Sequence, residues 1–229
     1  MGLRRPFFVC NPKSYLYGDE EYELAKTAEE LAVKYDVDIL FTGQLVELAR
    51  LAKDFPHLYV CAQHMESLKP GRGMGHVLPE ALANAGVRAT FLNHAENPMT
   101  VAELSKTVQR AKEVGIMSVV CADDVPDAKA IAALEPDIMV CELTSLIGTG
   151  KTADESYMRE TNEIVKSVSP NTQTLQAAGI SSGADVYKAI ASGADGTGCT
   201  SGIVCAPDPK AMLTEMIEAL VQAREDFCK

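Results

Sequence analysis

Short apolar runs and amphipathic stretches alternate along this chain about eight times, and that count restricts the fold more than any other feature. The runs are Phe7-Phe8-Val9-Cys10-Asn11, Val37-Asp38-Ile39-Leu40-Phe41, Leu58-Tyr59-Val60-Cys61-Ala62, Ala89-Thr90-Phe91-Leu92-Asn93, Met117-Ser118-Val119-Val120-Cys121, and those over 138–142, 172–177 and 196–200. They are continuously apolar more than alternating, as parallel strands covered on both faces require. Helical segments are expected between them over 20–34, 45–53, 101–113, 128–134, 185–191 and 209–224. Thr100 and Asp208-Pro209 read as helix starts, and Gly86, Gly115 and Gly193 as left-handed helix ends.

No Pro/Gly/Ser-rich linker divides the chain, so a single domain over 1–229 is expected. Eight βα units in 229 residues fit a (β/α)8 barrel slightly below the usual length of ~250. A doubly wound open sheet is the competing architecture. It is disfavoured because Asn11-Pro12-Lys13-Ser14-Tyr15, after the first strand, lacks a glycine-rich dinucleotide fingerprint.

Composition narrows the function. A formal net charge of -11 with no Lys/Arg run argues against nucleic acid and anionic membrane as partners, so an anionic small substrate needs a local positive pocket. No stretch approaches the roughly 20 apolar residues of a membrane span, and Met1-Gly2-Leu3-Arg4-Arg5-Pro6 has no signal-peptide core; a cytoplasmic protein is expected. The seven cysteines form no CxxC pair and no metal-ligand spacing with the four histidines, so buried, reduced thiols are expected.

In a barrel, the polar residues at strand C-terminal ends converge on one face. Here those are Asn11, Lys13, Gln63, Asn93, His94, Glu142 and Thr200-Ser201-Gly202. Glu142 ends an apolar strand and precedes Leu143-Thr144-Ser145-Leu146-Ile147-Gly148-Thr149-Gly150, a loop whose glycines allow a hinge and close backbone approach to an anion. A carboxylate so placed suits proton abstraction from a small phosphorylated substrate, although a lone strand-end carboxylate is more often an ion-pair partner. Lys13 suits a phosphate or a developing oxyanion, against the plainer reading of a solvated surface lysine. His94 is either a hydrogen-bonded structural residue or a catalytic one. Glu96 could pair with Lys13 or cap the next segment. Small-residue turns at Ala177-Ala178-Gly179-Ile180-Ser181 and Thr200-Ser201-Gly202-Ile203 follow strands seven and eight, where this architecture often binds phosphate.

Taken in order, these segments resemble the triosephosphate isomerase family, in particular its shorter archaeal branch. Asn11-Pro12-Lys13 resembles N-x-K, and Leu92-Asn93-His94-Ala95-Glu96-Asn97 resembles L-N-H-S-E-N. Glu142 through Gly150 resembles E-P-P-E-L-I-G-T-G, and the turns after strands seven and eight resemble the family's phosphate turns. The resemblance implies a (β/α)8 TIM barrel and an aldose-ketose isomerase of glycolysis and gluconeogenesis. Glu142 would be the base, His94 the neutral electrophile, and Asn11 with Lys13 the pair that orients substrate. Ile147, Gly148, Gly179, Thr200 and Ser201 would contact phosphate, with Glu96 behind Lys13. It implies no metal, no nucleotide and no other cofactor, and a homodimer or homotetramer whose sites are completed by the loop from His64 to His76.

The chain departs from the family pattern at Leu143-Thr144-Ser145, where the usual proline is missing, so a less restrained hinge is expected. Ala177 stands where glycine is usual, so a narrowed phosphate turn is expected. These departures keep two alternatives open: an isomerase for another short ketose phosphate, such as a tetrulose phosphate, and a non-catalytic barrel that binds a sugar phosphate.

Overall fold

A computed structural model describes residues 2–147, 149 and 152–228. The strands are β1 (Phe7–Cys10), β2 (Ile39–Gly43), β3 (Tyr59–Ala62), β4 (Ala89–Leu92), β5 (Met117–Ala122), β6 (Ile138–Cys141), β7 (Gln173–Gln176) and β8 (Gly196–Cys199). Each lies parallel to its neighbours, and β8 pairs back onto β1, closing the barrel in sequence order. The helices are α1 (Gly18–Tyr35), α2 (Leu48–Asp54), α3 (Pro79–Asn84), α4 (Val101–Val114), α5 (Val125–Ala132), α6 (Glu155–Val168), α7 (Gly183–Ala191), α8 (Ser201–Val204) and α9 (Pro209–Phe227). The expected (β/α)8 barrel is the architecture observed.

Apolar runs suit this position because successive side chains bury into different cores. Phe7, Val9, Leu40, Phe91, Val119, Ile138, Val140 and Leu175 pack inside the barrel. Their neighbours Phe8, Cys10, Ile39, Phe41 and Val120 join the layer between barrel and helices. The barrel is therefore a filled core that ends in an apolar floor beneath the strand C-terminal ends.

Local signals account for most element ends. Thr100 accepts from the Glu103 N–H while Glu103 reaches back to the Thr100 N–H, a reciprocal cap at the start of α4. Asp208 caps α9 through the N–H groups of Lys210 and Ala211, with Pro209 at the first helical position. Gly115 ends α4 at φ 75°, a conformation that costs glycine little.

Five expectations need correction. α2 begins at Leu48, not 45, because residues 45–47 form a turn after β2. α5 begins at Val125, not 128, because Asp124 caps it and Pro126 occupies a first-turn position where a missing N–H costs nothing. β2 runs two residues further than the apolar run, through Thr42 and Gly43, while Asp38 sits at the barrel base and accepts the Arg4 N–H at 2.8 Å. The expected helices include neither α6 nor α8, and of α3 only the end at Gly86: α3 and α8 are too short to show a period, and α6 buries Thr161 and Asn162 within its apolar stripe. Cys205 and Cys228 are exposed, one between α8 and α9 and the other beyond α9, whereas the remaining five cysteines are buried.

The seam between β8 and β1 is tight. A Cβ on Gly198 would lie 2.7 Å from both the Cβ and the backbone oxygen of Val9. Gly198→Ala must push β1 outward, and overpacking of this kind costs about 1–3 kcal/mol. A domain of this size loses about 2–4 °C of Tm per kcal/mol. Thermal denaturation should therefore show a fall of several degrees, and an unchanged Tm would contradict the closeness of the seam.

Candidate active site

The strand ends open into a cleft of about 100 Å³, floored by Val9, Phe91, Val140, Leu175 and Gly198. Asn11, Lys13, His94, Glu142, Ile147, Gly179, Thr200 and Ser201 all line it. Gly148 and Gly150 lie outside the described residues. A second chamber of about 370 Å³ adjoins the first, sharing Asn11, Lys13, Phe91, His94 and Glu96.

Glu142 continues the β6 direction by one residue, its N–H donating to the Ala122 oxygen at 3.0 Å. Its Oε2 lies 3.9 Å from His94 Nε2. Burial above the apolar floor pushes the carboxyl above the ordinary glutamate range; Lys13 offsets part of this and Glu96 adds to it. The same burial lowers the His94 pKa, helped by Lys13 and opposed by Glu96. Desolvation thus drives both groups toward their neutral forms.

A hydrogen bond assigns the histidine tautomer. The Glu96 N–H donates to His94 Nδ1 at 3.1 Å, so Nδ1 is an acceptor and the neutral ring carries its proton on Nε2. An imidazolium would oppose two N–H groups at that point. Nε2–H is therefore the atom turned toward Glu142 and the cleft.

Lys13 is the only cation among the described residues lining the cleft. Its Nζ donates to Glu96 Oε1 at 2.8 Å, and this bond holds the Glu96 carboxyl below its usual range. The Lys13 backbone is left-handed, at φ 47°. Asn11 Oδ1 accepts the Lys13 N–H at 3.0 Å and also the Thr42 hydroxyl, which turns the Asn11 amide nitrogen away from those partners. Asn93, by contrast, serves the backbone: it donates to the Cys121 oxygen and accepts from the Met99 N–H.

The turns after β7 and β8 are packed onto each other. A Cβ on Gly202 would meet Ser181 Cα at 2.8 Å and the Ile180 oxygen at 3.0 Å, so glycine is needed there for the turns to approach. Thr200 and Ser201 begin α8, where helix N–H groups have no intrahelical acceptor. The Ser181 N–H and hydroxyl both donate to Asp185 Oδ2 at 3.0 Å. Ala177 packs partly buried against the barrel core and lines the cleft.

Beyond Glu142 the loop has a restraint that the sequence pattern does not reveal. Asp123, just past β5, accepts the Thr144 N–H on Oδ1 at 2.7 Å, and its backbone oxygen accepts the Tyr157 hydroxyl from α6 at 2.6 Å. Residues Thr144–Leu146 form a 3-10 turn, and Leu143 already has φ -60°. The expected loosening from the missing proline is thus countered by side-chain anchors on both sides of the loop.

Gln44 and Gln63 each donate to the Lys13 oxygen at 2.8 Å. The strand-end pattern includes Gln63 but not Gln44, because the apolar run of β2 stops short of it. Asp123, two residues past the apolar run of β5, is likewise absent from that pattern. Among the described residues, no three His, Cys, Asp or Glu side chains converge so as to hold a metal ion.

The family model described as triosephosphate isomerase matches residues 6–220. Curated relatives bearing that name agree over nearly their whole length. The protein of Methanosarcina barkeri is 36% identical over 225 residues, covering 96% of this chain and 100% of the relative. That of Methanothermus fervidus is 37% identical, covering 94% and 99%, and that of Methanosarcina mazei is 35% identical, covering 93% and 97%. By matches that run through every strand of the barrel, this chain belongs to the triosephosphate isomerase family.

Proposed function

We propose that this barrel interconverts dihydroxyacetone phosphate and glyceraldehyde 3-phosphate, with Glu142 as the base. The observation that carries the residue assignment is the meeting of Glu142 Oε2 and His94 Nε2 at 3.9 Å above an apolar floor, with Lys13 beside them. One two-carbon unit of a substrate can meet both groups.

Ionised Glu142 takes a proton from the carbon next to the carbonyl, and the electron pair forms an enediolate. Neutral His94 passes its Nε2 proton between the two substrate oxygens, while Lys13 Nζ and the Asn11 amide stabilise the negative charge. Protonated Glu142 then returns its proton to the neighbouring carbon. Ile147, Gly179, Thr200 and Ser201 hold the phosphate, with Gly148 assigned to the same role from the sequence alone. Glu96 keeps Lys13 extended over the cleft until substrate arrives. The fit of phosphate is electrostatic: a chain of net charge -11 offers this one lysine among the described cleft residues.

The reading extends to a homodimer or homotetramer in the cytoplasm, acting in glycolysis and gluconeogenesis. The oligomer is supported by the fully exposed Met74 on the loop after β3, together with exposed Tyr17, Leu45 and Val46 on the loops after β1 and β2. Among the described residues no helix is long and apolar enough to cross a membrane.

A coupled assay with triose and tetrulose phosphates tests the function. Triose phosphate should be the preferred substrate, and Glu142→Gln should lower kcat by at least ~10²-fold. No turnover by the wild type, or full activity in the variant, would remove the assignment. The pH profile gives a second check. The base works ionised and burial raises its pKa, so kcat/KM should fall, as pH drops, through a value above the ~4.3 of a free glutamate. An acid limb at or below that value would contradict it. The loop supplies a third. Leu143 already sits at φ -60°, so Leu143→Pro should leave kcat within about threefold and add roughly 0.4–1 kcal/mol of stability. Thermal denaturation and kinetics on that variant check it, and a large loss of kcat would show that the hinge uses another conformation.

A further inference from the structure

Glu21 is a carboxylate with no part in the chemistry just described, and it is completely buried in the first turns of α1. Its Oε1 accepts the Gln44 N–H at 2.9 Å, whereas Oε2 is buried without a hydrogen-bond partner among the described residues. A Cβ on Gly43 would lie 2.9 Å from Oε1, so the carboxylate presses against the end of β2 where only glycine leaves space. Burial raises the Glu21 pKa to about 7, with the Gln44 N–H opposing and the nearby Glu47 adding to the rise. An ionised Glu21 therefore costs stability, and that cost builds up as pH rises from the ordinary glutamate range to about 7, above which it no longer grows. A buried, half-satisfied carboxyl whose partner Gln44 lines the second chamber is a candidate for a functional duty.

The hydrogen bonds leaving Gln44 show what that duty is. Its side-chain amide donates to the Lys13 oxygen at 2.8 Å and to Ser14 Oγ at 3.2 Å. Gln63 donates to the same Lys13 oxygen at 2.8 Å. Lys13 is held from its other side by Asn11 Oδ1 on its N–H. Left-handed backbone is unfavourable for a lysine, so the conformation persists only where its surroundings over-determine it. The two glutamine amides supply that over-determination, and Glu21 fixes the main chain from which one of them reaches.

We propose that Glu21 is a positioning residue for Lys13, acting through Gln44 to hold the left-handed turn that points the lysine ammonium into the cleft. The assignment rests on the isomerase reading above. Glu21 touches no substrate. Its effect is to keep a mobile cation in one place, so that phosphate and oxyanion meet it without the chain having to reorganise.

Steady-state kinetics with triose phosphate on the wild type, Glu21→Met, Glu21→Gln, Gln44→Leu and the Glu21→Met/Gln44→Leu pair test the proposal, with Tm recorded for each. Glu21→Met removes the acceptor and should lower kcat/KM about tenfold, chiefly through a higher KM. Glu21→Gln keeps an acceptor oxygen for the Gln44 N–H and should restore KM to within about threefold of wild type. Gln44→Leu should reproduce the KM effect of Glu21→Met, and the pair should fall no further than the worse single variant, as expected for two members of one linkage. Gln44→Leu carries the test if Glu21→Met does not fold. An active wild type in which folded Glu21→Met or Gln44→Leu keeps its KM overturns the proposal. So does Glu21→Gln failing to restore KM, or losses that multiply in the pair. An inactive wild type would instead overturn the isomerase reading.

Discussion

The barrel closes where β8 lies against β1, and that seam has no room for a side chain. Gly198 faces the Val9 backbone, Gly196 lies beneath the Phe7 ring, and strand pairing there runs from Phe7↔Gly196 to Cys10↔Cys199. Two glycines in a strand would ordinarily weaken it, but here they let a large aromatic residue fill the barrel base while β1 approaches. Closure then brings the end of β1, with Asn11 and Lys13, beside the end of β8, with Thr200 and Ser201. The ends of β4 and β6, carrying His94 and Glu142, come in across the same opening. These four strand ends are far apart in sequence.

The chemistry of the opening follows from its floor. Val9, Phe91, Val140 and Leu175 exclude water, and that one effect pushes an acid and an imidazole in opposite directions on the pH scale toward the same neutral state. The Glu96 N–H adds a geometric restraint by occupying the His94 Nδ1 lone pair. Lys13 opposes that effect at Glu142 and reinforces it at His94, while pairing with Glu96. A molecule that is acidic overall has concentrated positive charge at one point of its cleft, and has secured that point through a left-handed turn, two glutamine amides and a buried carboxylate.

The loop after Glu142 shows how one local restraint can replace another. A proline would fix φ at its first residue through a ring. In this chain Leu143 takes a similar φ, and the restraint comes from Asp123 on the neighbouring strand end, which holds Thr144 directly and Tyr157 through its backbone oxygen. Thr144 and Tyr157 are thus both tied to Asp123, so the flanks of the loop are anchored to the end of β5 rather than held by backbone stiffness alone.

The sequence by itself determined the number and order of the strands, the starts of α4 and α9, the glycine ends of several helices and the strand-end residues, because these depend on local patterns: continuous apolar runs, caps, and the glycines that end helices. It also showed which strand ends carry Asn11, Lys13, His94 and Glu142. Tertiary structure decided what those residues do to one another, since distances across a closed barrel join positions far apart in the chain. The loss of α6 from the sequence pattern has the same cause: Thr161 and Asn162 read as polar, but Gln176 from β7 satisfies them in the interior. Glu21 is the clearest case. In sequence it is one of several acidic residues opening an amphipathic helix, indistinguishable from exposed Glu20. Only the packing of α1 against the end of β2 buries it, shifts its protonation and links it through Gln44 to Lys13, because desolvation and hydrogen-bond geometry exist only once the chain has folded around them.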